Sequence, residues 1–367
     1  MNYNYKRRIM EVCRKMREQH LDGLVIGPGS DMKYLFGYEH LQDDKIFLAV
    51  ILQDGITFLI CNRLHDVDRK GMHIGCILEY AYETDPFDLF YREIQERKVQ
   101  WKSVAVAENM PTFFLLRMKE MWTDLKMIPV GKVMADLRNV KDENEREATK
   151  IACQKADQAL EICMKQGSSW IGKTEQQLEA RLLYEMGNLG LRHGAVSVCF
   201  GENAAIPHHH SDGTVITEGK PLLIDFGADY NFYNTDMTRM FFFGEPGEEY
   251  RRIYRLVLEA QEKGIREAVQ GNTLQAVDQM VRAFFAECGV DQFYIHRTSH
   301  GVGLDCHDYP KIPVDGTTVI EEGMIFSVEP GLYFPGKFGV RIEDQILIHH
   351  GKTEVLHSFP KNLLFFK

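Results

Sequence analysis

"LLIDFGADYNFYNTDMTRMFFF", residues 222–243, holds two runs of strand-forming residues around a polar centre, and each run carries an aspartate in apolar company. Leu, Ile, Phe, Met and Thr suit a pleated, half-buried surface. The middle, Asp-Tyr-Asn-Phe-Tyr-Asn, reads as the turn between two strands. An ionised carboxylate in such a place is costly unless it is paired or binds a metal. A hairpin turning between Tyr230 and Asn231 sets Asp225 directly opposite Asp236, where like charges repel. A cation shared by the two would resolve the repulsion.

A second acidic pair sits in "MIFSVEPGLYFPGKFGVRIEDQILI", residues 324–348. Pro335-Gly336 is a strong turn signal, and strands are expected over 326–334 and 338–348. A hairpin centred on Gly336 opposes Glu329 to Glu343, within one residue because a bulge would shift the pairing. One such pair could be a chance surface feature. Two pairs inside two apolar hairpins argue for a binding role.

Between the hairpins lies "IHRTSHGVGLDCHDYP", residues 295–310, with His296, His300 and His307. A lone histidine here would read as a satisfied core or loop residue. The spacing of His296 and His300 is that of helical zinc motifs, but Arg297 stands where H-E-x-x-H needs glutamate. Gly301 and Gly303 also disfavour a continuing helix. No phosphate loop follows, and no G-x-S-x-G elbow surrounds Ser299. The histidines are best read together with the carboxylates.

The rest of the chain bounds the reading. Its 367 residues are long enough for two domains. The formal charge is −10, with one short basic cluster, Lys6-Arg7-Arg8, expected on a solvated helix face. That argues against a nucleic-acid footprint. No apolar run has the length of a membrane span, and the start lacks a signal-peptide core. Eight cysteines, from Cys13 to Cys306, form no C-x-x-C and read as reduced, mostly structural thiols, so a cytoplasmic location is expected.

Organisation changes near residue 140. Before it come a helix over 5–20, the strand "DGLVIG", a hairpin in "KIFLAVILQDGITFLIC" around Gln53-Asp54-Gly55, a strand at 103–107 and a helix after Pro111. This predicts an α/β domain over 1–140. The charged run "RNVKDENERE" opens a second domain, 141–367. There, helices at 143–165 and 174–187, the latter with a Thr174/Gln177 capping box, precede strands at 195–200, 221–228 and 236–243. Helices at 248–269 and 273–287 then precede the second set of strands. The order of elements occurs twice.

With these residues in place, the chain resembles the pita-bread metallopeptidases, in the branch of prolidases (Xaa-Pro dipeptidases) and aminopeptidase P. The five metal ligands of that family match Asp225, Asp236, His300, Glu329 and Glu343. The spacings agree too, eleven positions between the aspartates and fourteen between the glutamates. "HRTSHGVGLDCHD" is similar to the branch signature, departing at Cys306, where Val or Ile is usual, and at Ser299, where many relatives have glycine. "DGLVIGPGSDMKYLFGY" is similar to the start of the family's N-terminal domain. The resemblance implies two domains, α/β plus α+β: an N-terminal creatinase-like α/β domain and a C-terminal pita-bread catalytic domain with a pseudo-twofold repeat. It also implies a homodimer.

Four carboxylates and one imidazole make a hard site suited to two divalent cations. Mn²⁺ is expected, with Zn²⁺, Co²⁺ or Fe²⁺ as alternatives, because ligand type does not fix the metal. The resemblance implies that Asp236 and Glu343 bridge the ions, that Asp225 serves one ion, and that His300 and Glu329 serve the other. Glu329 is also the implied proton shuttle. Strand parity puts Thr238, Tyr333 and Arg341 on the faces of their neighbouring ligands, where they would orient them. In "NAAIPHHHSDG" the resemblance makes His208 a substrate contact, with His307 and His296 as two more. His209 and His210 are expected to face solvent. The substrate implied is a small peptide with proline second, its free carboxylate met by Lys311 or Arg341 if the enzyme is a dipeptidase. The alternatives are a metal-dependent hydrolase of a non-peptide small molecule and a non-enzymatic binding protein on the same scaffold; the latter typically loses ligands.

Overall fold

The computed structural model describes residues 3–65, 67, 72–311 and 317–367. The chain forms two compact units, one ending at Arg138 and the other running Asn139–Lys367. The first unit holds helices α1 (Tyr5–Glu18), α2 (Ser30–Phe36), α3 (Pro86–Glu96), α4 (Thr112–Met121) and α5 (Gly131–Asn139). Its strands are β1 (Gly23–Ile26), β2 (Leu48–Leu52), β3 (Thr57–Asn62), β4 (Cys76–Tyr80), β5 (Ser103–Val106) and β6 (Lys126–Pro129). They make one mixed sheet, ordered β4-β3-β2-β1-β5-β6. β1, β2 and β3 are buried along their whole lengths, as unbroken apolar runs in a covered sheet should be.

One expectation for this unit fails. Arg8 is buried, not solvated: it donates to the Tyr34 carbonyl at 2.9 Å and lies over the Tyr34 ring, 4.1 Å from its centroid. A weakly hydrated guanidinium can stack on aromatic faces in a way the neighbouring lysine cannot.

The second unit begins with α6 (Glu143–Met164) and α7 (Glu175–Asn188), followed by β7 (Arg192–Phe200), β8 (Lys220–Tyr230) and β9 (Tyr233–Phe243). Both helices open with a capping box, the expected one at Thr174/Gln177 and another at Asp142/Glu145. Next come α8 (Glu248–Glu267) and α9 (Leu274–Glu287). β10 (Ile325–Val328), β11 (Gly331–Phe334), β12 (Phe338–Arg341), β13 (Asp344–His349), β14 (Lys352–Val355) and β15 (Leu364–Phe366) complete the chain. The order helix pair, then strands, occurs twice, as the sequence predicts. Ala152, Ala156 and Leu160 of α6 pack on Ile224, Phe226, Met237 and Phe241. Leu274 and Val277 of α9 pack on Phe326, Val328 and Ile346 in the second half.

Period-two alternation decides which side chains reach the interior. Leu222, Ile224 and Phe226 join the α6–α7 core, whereas Leu223 belongs to the other face. Asp225 shares parity with Leu223. On β9, Met237 and Phe241 face α6, and Met240 and Phe242 face inward with Asp236 and Thr238.

The register of this hairpin differs from the expected one. Asp225 pairs with Thr238, and Asp236 with Gly227, so the aspartates sit diagonally on one face. The turn is Asn231-Phe232, both at positive φ (49° and 75°), closed by Tyr230 and Tyr233. That is the two-residue loop matching strand twist. Asp229 selects it, because its Oδ2 accepts from Phe232 N at 3.1 Å. Direct opposition of two carboxylates is thereby avoided.

The second hairpin keeps the expected register but not its continuity. β11–β12 and β10–β13 share one pairing frame centred on Gly336, and both ladders stop at the glutamates. The backbone N–H of Glu329 turns to Thr298 O at 2.8 Å, and that of Glu343 to Thr238 O at 3.2 Å. Each glutamate leaves its ladder to tie into another segment.

Gly227 marks the tightest point. A Cβ there would meet Thr235 O at 2.3 Å, opposite Asp236. Gly227→Ala is therefore expected to destabilise the protein by about 1–3 kcal/mol, an overpacking cost. Gly187→Ala, at an exposed position near the end of α7 with nothing within 4 Å, should stabilise by about 0.5–1 kcal/mol. Urea unfolding of both variants distinguishes local crowding from a general intolerance of change.

Candidate metal centre

β8 supplies Asp225, β9 supplies Asp236, and the two ladder breaks supply Glu329 and Glu343. His300 comes from the segment after α9. That segment is tied to β10 in both directions: His300 N donates to Ser327 Oγ at 3.0 Å, and Ser327 N donates to His300 O at 2.8 Å. A Cβ at Gly301 would meet Tyr309 C at 2.3 Å, so the chain doubles back closely there. The fold-back stacks His307 on His300, ring centroids 3.9 Å apart.

Five donor side chains meet on one cavity of about 600 Å³. Nε2 of His300 lies 3.3 Å from Glu329, 3.5 Å from Asp236 and 4.0 Å from Glu343. Its Nδ1 donates to the Gly301 carbonyl at 3.1 Å, which turns Nε2 toward the acids. Ligand atoms of Asp236, His300 and Glu343 all lie within 4.8 Å of one another. Oε1 of Glu343 is buried without a hydrogen-bond partner. A buried oxygen orphaned in this way suits a site that takes up water or a cation. This donor set, four carboxylates and one imidazole nitrogen, fits divalent cations.

Electrostatics point the same way. Burial first, and then the Glu343 charge, pushes Glu329 up to about 8. Burial and the neighbouring aspartates also hold Asp236 and Glu343 well above the carboxylate range. Without cations these carboxyls hold protons more tightly than free ones, which a bound cation would relieve.

One guanidinium organises the rim. Arg341 donates to Asp225 Oδ2 at 2.6 Å, to Thr238 Oγ1 at 3.1 Å and to the Tyr333 hydroxyl at 2.8 Å. Thr238 in turn donates to Glu343 Oε2 at 2.7 Å. Tyr333 reaches His296 Nε2 at 2.8 Å, while His296 Nδ1 donates to Arg297 O. Burial drives His296 and His307 down to about 4, so both rings are neutral at pH 7.

His208 lines the same cavity, as do Lys311 and Arg297, whose cation sequence reasoning missed. Residues 312–316 of the Lys311 loop lie outside the described residues. His210 is exposed as expected. His209 is not solvent-facing: its Nε2 sits 2.8 Å from Glu175, a fully buried carboxylate. Glu175 also accepts from Phe200 N, Asn203 Nδ2 and Asp212 N, so it pins the loop bearing His208. The capping box at Thr174 was the one local hint that the next residue enters the core.

Other supports come from far along the chain. Asp236 N donates to Gln345 Oε1 at 3.2 Å, and Asp236 O faces His357 Nε2 at 3.1 Å. His357 is held by Asp157 of α6 at 2.8 Å. Cys306 donates its thiol to Asp236 Oδ2 at 2.9 Å. All eight cysteines are free. Among the described residues no helix is long and apolar enough to cross a membrane.

Comparison with known proteins agrees with this geometry. Residues 147–350 match the model of metallopeptidase family M24, and residues 8–140 match the creatinase/prolidase N-terminal domain. An uncharacterized peptidase of Staphylococcus aureus is 30% identical over 362 residues, covering 96% of this chain and 99% of its own. A prolidase from Thermococcus sibiricus superposes with a TM-score of 0.94 at 29% identity, covering 100% of both chains. An X-Pro aminopeptidase from Thermotoga maritima gives 0.86 at 28%, covering 97% of this chain and 99% of its own. The chain belongs to metallopeptidase family M24. It is a metallopeptidase with a creatinase-type N-terminal domain and a pita-bread catalytic domain.

The raised Glu329 value fixes the sign of a pH effect. Its pKa moves from an ordinary 4.5 to about 8 on folding, so the metal-free native state binds the extra proton between those values. The associated stability is present below about 4.5 and is lost as pH rises through about 8. The melting temperature of metal-free protein should fall between pH 5 and 8. Protein loaded with divalent ions should show a flatter profile, because bound cations replace the proton. Parallel profiles would rule out these acids as the source.

Proposed function

We propose that this member of metallopeptidase family M24 binds two divalent ions and cleaves the peptide bond between an N-terminal residue and proline. The observation that carries the reading is the convergence of Asp225, Asp236, His300, Glu329 and Glu343 on one cavity, with Glu343 Oε1 orphaned inside it. These five would hold the ions, with residues 141–367 as the catalytic domain. Mn²⁺ suits so carboxylate-rich a set. When bound there, divalent ions would depress the pKa of water to give a nucleophile at neutral pH and would polarise the scissile carbonyl.

The chain's own groups do the rest. Glu329, whose extra proton the bound ions would displace, would then be a carboxylate able to take a proton from the attacking water and deliver it to the leaving nitrogen. His208 and neutral His307 donate to the scissile carbonyl and to the charge that develops on it. His296, fixed by Tyr333, contacts substrate beside them. Arg341 keeps Asp225 aimed at the centre. Proline specificity draws support from the solved relatives, a prolidase and an X-Pro aminopeptidase among them. A cytoplasmic homodimer remains the expected setting.

Substrate length turns on Lys311. It lines the cavity with its ammonium 4.9 Å from the Tyr309 ring centroid. A point charge there would attract the free carboxylate of a dipeptide without arginine's bidentate fork.

Asp236→Asn should lose metal and nearly all activity, with metal content read by elemental analysis. His208→Ala and His307→Ala should keep both ions and lose about 10²-fold or more in kcat/KM; a metal-depleted variant would refute its assignment. Ala-Pro, its amide and Ala-Pro-Ala test the substrate. Wild type is expected to prefer the free dipeptide, and Lys311→Ala to lose that preference. Equal rates on all three in wild type would place the enzyme with the aminopeptidases, and no cleavage of any would overturn the Xaa-Pro reading.

A further inference from the structure

Cys306 opens onto the same cavity as the carboxylates, and the reaction above gives it no part. Its Sγ lies 2.9 Å from Oδ2 of Asp236. That same oxygen is 3.5 Å from Nε2 of His300. The sulfur is thus one more donor atom in contact with the donor cluster. A separate feature points to an ion in this cluster: Oε1 of Glu343, on a side chain 2% exposed, has no hydrogen-bond partner and faces Nε2 of His300 at 4.0 Å. The segment carrying the thiol is fixed, since buried Asp308 accepts from Leu304 N at 2.7 Å and Gly303 N donates to Asp305 O at 3.0 Å.

We propose that Cys306 is a conditional ligand of the metal centre, binding a thiophilic divalent ion such as Zn²⁺ through its sulfur beside Asp236, and remaining an uncoordinated thiol when the ion is Mn²⁺. The proposal rests on the metal centre of the reading above and not on its substrate. Carboxylates and water suit Mn²⁺, whereas thiolate favours Zn²⁺ and its softer relatives. On coordination the S–H bond breaks, the proton leaves to solvent, and the sulfur electron pair forms the bond to the ion, with no change of oxidation state. Asp236 Oδ2 then exchanges the thiol's hydrogen bond for the cation. A single side chain thereby sets the preference of the centre between hard and soft ions.

The test uses the metal-free full-length protein and no substrate. Titration with Co²⁺ and with Cd²⁺ should produce thiolate-to-metal charge-transfer absorption in wild type. Cys306→Val and Cys306→Ser should lack it, the serine variant serving if valine disturbs folding. In competition binding, the preference for Zn²⁺ over Mn²⁺ should fall by about 10–100-fold in both variants, the range typical of losing a group that tunes a metal site. Wild type also answers without any substitution: Zn²⁺ should protect Cys306 from iodoacetamide, read by peptide mass, far better than Mn²⁺ does. Divalent ions that bind without sulfur absorption, or equal protection by the two ions, would overturn the proposal while leaving the metal centre intact. Failure to bind any divalent ion would overturn the centre as well. Failure to cleave Xaa-Pro peptides would bear only on the substrate.

Discussion

Burial, and then neighbouring carboxylate charge, raises the proton affinity of three acids that share the cavity. Asp236, Glu329 and Glu343 all bear this load. Arg341 is the protein's own partial answer, a buried guanidinium ion-paired with Asp225 and bonded to Thr238. One positive charge cannot offset four acids. The remaining repulsion is what makes the site a receptor for cations, because an ion that enters relieves a strain already built into the folded chain. The hairpin register belongs to the same logic. With Asp236 opposite Gly227 and Asp225 opposite Thr238, the two aspartates share a face without the repulsion of direct opposition.

Holding such a cluster in place takes more than local structure. Buried Arg239 pairs with Asp344 and bonds to the backbone oxygens of Thr238, Glu343 and Phe359. His357 and Gln345 fix the two backbone polar groups of Asp236. Glu175 gathers four donors from the segment around His208. A buried ion pair adds little net stability over an apolar replacement, yet removing one partner is expensive. Here the Arg239–Asp344 pair adjoins Glu343, where what it provides is fixed geometry.

How much of this was legible follows from the range of each signal. Strand parity is local, so it placed Asp225, Asp236, Thr238 and Arg341 toward the interior correctly. The centre of the second turn was legible because Pro335-Gly336 allows few alternatives. The first turn was misplaced by one residue: Asn231-Phe232 adopts positive φ under the direction of Asp229, whose carboxylate also meets His193 at 2.5 Å. Nothing within the turn itself announces that partner. The burial of Arg8 depends on three tyrosines, one of them on another helix. His209 could be paired only once the strand end, the following loop and α7 had been brought together. His357 and Asp157 stand 200 positions apart, beyond any spacing argument. A glutamate or histidine carries the same letter whether it faces solvent or a buried partner.

The two kinds of acidic donor are held in different ways. The aspartates ride on continuous strands, where cross-strand bonds fix their height. The glutamates sit where ladders stop, and their N–H groups are spent on Thr298 and Thr238. Thr238 lies two residues from Asp236, and Thr298 two residues from His300. Each glutamate is therefore bonded through its backbone to the segment that carries another ligand, while Ser327 locks His300 from the other side. Displacing any one ligand would strain the support of a second. A centre cross-tied in this way keeps its donors aimed before substrate arrives, so little reorganisation is left for the moment of reaction. The breaks in the second hairpin, read alone as defects in a sheet, are the joints through which its two halves are set against each other.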